Sequence, residues 1–309
     1  MKAFYSDHFV LPLPEGHRFP MAKYSMLRKR VGTELGGVNM LEAPAATLGE
    51  LALVHDPDYV KAVQEGTLSP QALREIGFPW SPAMAERSLR SAGASIAAVR
   101  VAALEGIAGN LAGGTHHASA NQGGGFCVFN DIAVAARVCQ MEHFRQTKRT
   151  LQVLVVDLDV HQGNGTASIF ANDPSVFTLS VHGEKNFPFR KVESDLDVGL
   201  PDGCTDEAYM EALDGALETV LQRVQPEFLI YLAGADAHEG DRLGRLKLTE
   251  AGMQARDQKV FDWAKAHHLP MIICMGGGYG RDLETTVSVQ MNTWRLAHMH
   301  WLHWQNRGL

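Results

Sequence analysis

Four short apolar runs rich in aliphatic residues punctuate the chain: LQVLVV (151–156), VFTLSV (176–181), FLIYL (228–232) and MIICM (271–275). Each has the length and composition of a strand buried on both faces. Helical patterns lie between them, notably over 206–224, entered through Thr205, and over 249–266, where Thr249 is placed to cap the first turn. Alternation of strand and helix predicts an α/β fold with a parallel sheet covered on both faces. Ligands of such sheets bind just beyond the carboxyl ends of the strands. The residues that follow the four runs are therefore the first place to look for chemistry.

Bulk properties narrow the picture. With 309 residues, 45% of them hydrophobic, and no repeat or low-complexity linker, the chain is expected to form one catalytic-sized domain over 1–309, with 11–20 as an ordered loop. A formal charge of -7 offers no basic footprint for nucleic acid and, through a mildly acidic surface, favours cationic substrates such as lysine-rich peptides. Cys127, Cys139, Cys204 and Cys274 form no CxxC pair, which argues against a disulfide framework and for a reducing, cytoplasmic setting. No apolar run approaches membrane-spanning length, and the opening residues lack a secretory pattern.

Asp157, Asp159 and His161 follow the first run in the order DLDVH, and period-two spacing would direct all three to one side of an extended chain. Asp236 follows FLIYL and brings another carboxylate to the same sheet edge. Asp159, His161 and Asp236 together supply two oxygens and one nitrogen and leave a coordination position for water, as a catalytic zinc requires. The same donor set can hold iron or cobalt. A single aspartate after a strand is ordinarily a cap or loop residue; the conjunction with two further motifs gives this set its meaning.

One of those motifs is GGTHH, in which His116 and His117 follow a glycine pair. Beside a metal, imidazoles can take a proton from water and return it to a leaving amine. Histidine pairs alone say little, since His267 and His268 also adjoin at a predicted helix end. The other motif is GGGYG after MIICM, where glycines permit a tight turn and Tyr279 can donate to a developing oxyanion. Neither GGGFC nor GGGYG has the spacing of a nucleotide-binding loop.

Taken together, AGGTHHA (112–118), GGGFCVFND (123–131), VVDLDVHQGNGT (155–166), AGADAHEGDRLG (233–244) and GGGYG (276–280) resemble the histone deacetylase superfamily in order and spacing, over most of the chain. HQGNG, with Gln162, and EGDRLG look most like its class IV branch. The resemblance implies an arginase-like three-layer α/β/α sandwich around a mainly parallel eight-stranded sheet, and a zinc-dependent amidohydrolase that removes an acetyl or longer fatty acyl group from the side-chain amine of lysine. It makes Asp159, His161 and Asp236 zinc ligands, His116 and His117 the acid and base pair, and Tyr279 the oxyanion donor. It also implies that Asp157 orients His116 and Asn164 orients His117. Because an amide partner favours imidazolium less than a carboxylate does, His117 is expected to be neutral and to act as the base. Gly125, Phe126 and Phe187 would form an apolar tunnel around the lysine methylenes, although the loop VHGEKNFPF departs from the family pattern. A structural potassium would map to Asp157, Asp159, His161, Ser180 and Val181.

Two other functions compete. An amidohydrolase acting on acylated polyamines would present nearly the same reacting amide, whereas a ureohydrolase would need a second aspartate where Ala237 and His238 follow Asp236. A non-catalytic acyl-lysine binder would be expected to have lost one of the reactive residues. The closing stretch, with Trp294, Trp301 and Trp304 among His298, His300 and His303, is expected to be a final helix packed on the domain.

Overall fold

The computed structural model describes residues 1–306. Its strands are β1 (Lys2–Tyr5), β2 (Asn39–Glu42), β3 (Ile107–Asn110), β4 (Val153–Asp157), β5 (Val176–Gly183), β6 (Leu196–Leu200), β7 (Phe228–Leu232) and β8 (Met271–Cys274). They form one sheet in the order β2-β1-β3-β8-β7-β4-β5-β6, with every pairing parallel. The four runs read from sequence correspond to β4, β5, β7 and β8. Three of these, β8, β7 and β4, are neighbours at the centre of the sheet.

Alternate residues of the central strands enter two separate cores. Leu154, Val156, Leu229, Tyr231, Met271 and Ile273 face one layer, while Val153, Val155, Phe228, Ile230, Ile272 and Cys274 face the other. The period of two along a strand accounts for this division, and burial of both faces explains why the runs are continuously apolar. The first layer contains helices Ala22–Glu34, Asp206–Arg223, Glu250–Ala266 and Leu283–Gln305, which supply Leu27, Tyr209, Phe261 and Trp294. Helices Pro82–Glu105 and Asp131–Thr147 cover the other face through alanine-rich surfaces, with Ala94, Ala98, Ala133 and Ala136 permitting close approach. The result is a three-layer α/β/α sandwich.

Local signals account for the helix limits. Thr249 accepts from the Gly252 backbone, whereas Thr205 occupies an N-cap without a side-chain bond. Asn130 caps Asp131–Thr147 by accepting from the Ala133 backbone while its amide donates to the Ala118 carbonyl at 2.9 Å, tying that helix to the GGTHH segment. The tryptophan-rich end is the helix Leu283–Gln305, and Trp294 is fully buried in the core. All four cysteines are free and buried. No described helix is long and apolar enough to cross a membrane.

Candidate metal and catalytic centre

Four loops leaving the adjacent strands β3, β8, β7 and β4 converge at one edge of the sheet and carry His116 and His117, Tyr279, Asp236, and Asp157 to His161 respectively. Strand β4 ends at Asp157, so the DLDVH segment is not the extended chain that period-two spacing suggests. Instead, the Asp159 backbone donates to Asp157 Oδ1 at 3.1 Å and the His161 backbone donates to Asp159 Oδ1 at 2.9 Å. These turns direct Asp157 away from its neighbours' ligand atoms and toward His116. Sequence alternation identified the participants but not their division of labour.

Asp159, His161 and Asp236 are buried and offer ligand atoms all within 4.8 Å of one another. His161 Nδ1 lies 3.0 Å from Asp159 Oδ1 and 3.1 Å from Asp236 Oδ2. Two donors held tetrahedrally by zinc are about 3.3 Å apart, so this spacing fits such an ion. Asp159 Oδ2 accepts from the Gly277 backbone at 2.6 Å, and Asp236 Oδ1 accepts from Val160 at 3.0 Å, which fixes both carboxylates. Glycine is required at 277 because a Cβ there would collide with the Asp236 carboxylate. Among the described residues this is the one cluster of three or more His, Cys, Asp or Glu groups able to hold a metal.

The electrostatics also fit a cation. Burial, reinforced by Asp159, pushes the Asp236 carboxyl up to about 7. Burial disfavours a charged His161, but Asp159 and Asp236 outweigh that penalty and hold its imidazolium up to about 10. Two buried carboxylates thus draw a proton onto the shared imidazole in the metal-free chain. A divalent ion would displace that proton and satisfy the same negative charge.

His116 and His117 sit side by side, ring centroids 4.2 Å apart, yet face different partners. His116 Nδ1 is 2.6 Å from Asp157 Oδ2; His117 Nδ1 is 2.6 Å from Asn164 Oδ1. Burial penalises the charged form of both. At His116 the Asp157 and Asp159 carboxylates overcome this penalty and raise the pKa to about 9. At His117 the neutral amide is too weak, and neighbouring His116 and His161 push it further down, well below the ordinary histidine value. Tyr279 is buried with its ring centroid 6.5 Å from that of His161, and burial together with Asp159 and Asp236 raises its pKa well above the usual phenol value. A protonated phenol is thereby available as a donor.

Gly125, Phe126 and Phe187 stand on the approach to these groups. Gly125 has φ of 52°, and a Cβ there would meet His117 Cδ2 at 2.6 Å and Phe187 Cε1 at 3.0 Å. The Phe187 ring is edge-on to His117 at 4.9 Å, while Phe126 lies 5.9 Å from Tyr279 and stacks on Phe78 at 5.3 Å. A cavity of about 70 Å³ adjoins the metal-capable residues and is lined by Tyr24, Phe78, Arg87, His116, His117 and Tyr279, among others. Ser180 pairs with Asp157 across β4 and β5, which sets Ser180 and Val181 beside the DLDVH turn.

Several supporting residues escaped the motif reading. Asp131 accepts from the Thr115 backbone at 2.7 Å and the Gly114 backbone at 3.2 Å, holding the loop that carries the histidine pair. Asp241 accepts from the Tyr279 backbone at 2.6 Å. Buried Lys23 donates to the Gly278 carbonyl at 3.2 Å, and buried Arg256 donates to the Gly234 carbonyl at 2.7 Å. Asp131 and Asp241 lie inside the quoted motifs; Lys23 and Arg256 are single charges in helical patterns, and sequence carries no signal that they reach these carbonyls.

The fold and this centre together define a parallel α/β protein with a buried, metal-capable carboxylate and imidazole site at its sheet edge. Residues 17–294 match the histone deacetylase domain. The chain belongs to that family. It is 44% identical over 286 residues to an uncharacterized protein of Picosynechococcus sp., covering 92% of this chain and 93% of that one. It is 31% identical over 284 residues to histone deacetylase 2 of Arabidopsis thaliana, covering 88% and 72% respectively. The crystal structure of a histone deacetylase homolog from Aquifex aeolicus superposes with a TM-score of 0.79 at 24% identity, over 96% of this chain and 83% of that one. The crystal structure of the HDA15 HD domain gives a TM-score of 0.78 at 22% identity, over 99% and 96%. Family membership makes the chain a deacetylase-type hydrolase acting on amides, and its eight-stranded parallel sandwich is the fold of that family.

Proposed function

We propose that this protein is a zinc-dependent lysine deacylase whose preferred acyl group is short, acetyl foremost. The observation that carries the reading is the gathering of Asp159, His161 and Asp236 within 4.8 Å, with His116, His117 and Tyr279 around the adjoining cavity. Zinc held by those three ligands would polarise the amide carbonyl and make water a better nucleophile.

The chain's own groups divide the remaining work. His117, neutral and aimed by Asn164, accepts a proton. His116, held as imidazolium by Asp157, supports the negative charge that develops and delivers a proton to the departing amine. Tyr279 donates its hydroxyl hydrogen to the carbonyl oxygen as that oxygen becomes anionic, a contribution of roughly 3 kcal/mol for comparable donors. Phe126 and Phe187 flank the lysine methylenes, and Gly125 leaves room for them. The cavity of about 70 Å³ adjoining the centre is about half the ~150 Å³ that holds one benzene molecule, which favours acetyl over a long fatty chain.

HQGNG and EGDRLG support the class IV placement. In the HQGNG segment, Gln162 does not face the metal-capable group; its amide donates to the Val192 carbonyl at 2.7 Å and to Asp197 at 2.8 Å. A structural potassium is assigned to the main-chain oxygens of Asp157, Asp159, His161, Ser180 and Val181. Its support is that, among the described residues, no donor reaches the carbonyl oxygens of Asp159 or His161.

The deciding experiment is hydrolysis of a lysine-peptide panel from acetyl to myristoyl, run with metal analysis and with chelator and Tyr279→Phe controls. Metal-dependent release, greatest for acetyl and lost in the variant, is expected. Absence of release from every peptide by protein that carries one zinc would overturn the reading in favour of acylated polyamines or a binding role.

A further inference from the structure

The mouth of the site is a cavity of about 500 Å³ whose charged lining is Arg18, Arg74, Lys185, Arg242, Arg245 and a single acid, Glu75, apart from the two deep histidines. The whole chain has 35 acidic and 28 basic residues, so five cations against one acid is the reverse of what its composition would place there. The net charge of -7 pointed to cationic substrates; the local field at the entrance points the other way.

These cations arrive from four separate segments: the 11–20 loop, the helix Pro70–Ile76, the loop after β5 and the loop after β7. All five are exposed. Arg245 is paired with Asp202 at 3.0 Å, but among the described residues Arg18, Arg74, Lys185 and Arg242 form no ion pair. The Glu75 carboxylate is engaged by the side-chain amides of Gln71 and Gln122. Arg242 donates through Nε to the Tyr279 carbonyl at 2.8 Å, which anchors its guanidinium in the lining of this cavity beside Tyr279. Phe189, 85% exposed, adds an uncovered aromatic surface beside Phe187.

Scattered surface lysines and arginines are ordinarily solvated and need no partner. Here the convergence around a concave entrance matters, because such a cleft focuses its field outward and raises the local concentration of anions. Mutual repulsion of the rim cations is relieved by an anionic occupant and aggravated by a cationic one. We propose that the acyl-lysine taken by this site lies in an acidic peptide segment, whose flanking carboxylates meet Arg18, Arg74, Lys185 and Arg242. The proposal rests on the deacylase reading above and assigns its substrate class. A peptide fits better than a small metabolite because the cations are distributed over four segments around a wide mouth, and one carboxylate cannot engage them together. Acylated polyamines and lysine-rich tails are disfavoured by the same field.

The test uses dye-labelled acetyl-lysine peptides of equal length with flanks of Asp and Glu, of Ser and Gly, or of Lys and Arg, together with free acetyl-lysine and an acetylated polyamine. Binding is read by anisotropy for the labelled peptides, and by competition for the small molecules, with zinc-loaded full-length protein; kcat/KM is read separately. At low salt the acidic peptide should bind and react about tenfold better than the basic one, equivalent to about 1.4 kcal/mol. That preference should collapse at about 1 M salt, where the Debye length falls to about 3 Å. The double variant Arg74→Glu with Lys185→Glu should abolish or invert the order, whereas Arg149→Glu, ahead of β4 at the opposite sheet edge, should leave it intact. Equal or better binding of the basic peptide, an order unchanged in the rim variant, or free acetyl-lysine matching the acidic peptide would overturn the proposal. Selective binding of the acidic peptide without hydrolysis of any substrate would uphold the charge preference and defeat the deacylase reading instead.

Discussion

The floor and the mouth of this site are neighbours built on opposite principles. At the floor every reactive side chain is buried and these polar groups are held by named partners: Asp159 by Gly277, Asp236 by Val160, His116 by Asp157 and the neutral His117 by Asn164. At the mouth, four cations are exposed and form no ion pair among the described residues. Buried charge without a partner is costly, so the floor tolerates little change. Exposed charge costs little and leaves the mouth free to select what approaches. Chemistry therefore resides where geometry is overdetermined, and specificity where it is not.

The sharpest test of that contrast is the metal group. Asp236→Ala should abolish metal binding and lower kcat/KM by on the order of 10³-fold or more, the loss expected when several kcal/mol of electrostatic stabilisation disappear. Elemental analysis alongside hydrolysis checks it; a variant that retains one zinc and most of its activity would remove Asp236 from the centre.

Tyr279→Phe comes next. The substitution should reduce kcat by roughly 10²- to 10³-fold while KM, metal content and Tm stay near wild type, because only a transition-state donor is removed. A comparable change in KM would instead make the phenol a substrate-binding group.

The histidine pair makes the comparison finer. Asn164→Asp places a carboxylate where an amide now faces His117, which should raise that imidazole's pKa because the added negative charge favours the imidazolium. A base with a raised pKa is protonated at higher pH, so the acidic limb of the kcat/KM profile should move upward. An unchanged limb would mean that His117 is not the group titrating there.

Without metal, the floor should also be sensitive to alkali. His161 and His116 titrate at about 10 and about 9 in the folded chain against 6.5 in the ordinary state, so the stability they contribute is complete below about 6.5 and lost as pH rises toward 10. Asp236, raised from 3.8 to about 7, acts in the same direction up to its own pKa. Tm of chelator-treated protein should accordingly fall from pH 6.5 to pH 10, and zinc should flatten the curve. The smallest effect belongs to the mouth: Arg74→Glu alone should weaken an acidic peptide only a few-fold and leave Tm unchanged, as exposed pairs are worth about 0.2–1 kcal/mol.

Legibility followed the same division. The strands β4, β5, β7 and β8 were readable because burial on both faces leaves uninterrupted apolar runs. Strand β3, IAGN, was not, since four residues including glycine and asparagine carry little pattern, and β6, LDVGL, is a half-exposed edge. Asp157, Asp159, His161, Asp236, His116, His117 and Tyr279 were readable because each lies at or shortly after a strand end or a glycine turn within a compact motif. Lys23 and Arg256 were not, because a buried cation bonded to a distant carbonyl leaves no periodic trace.

What the sequence determined by itself was the set of reactive residue types and the strand ends that bear them, since both follow from local spacing and apolar patterning. Tertiary structure decided the geometry that makes the pairing of Asp157 with His116 possible: the turn after β4 brings the Asp157 carboxylate to 2.6 Å from His116 Nδ1, while Asp159 is gathered with His161 and Asp236. It also decided the sign of the field at the entrance, reversing the -7 of the whole chain. Net charge is a sum over residues, whereas a field is set by distance, and distances between residues far apart in the chain exist only once it has folded.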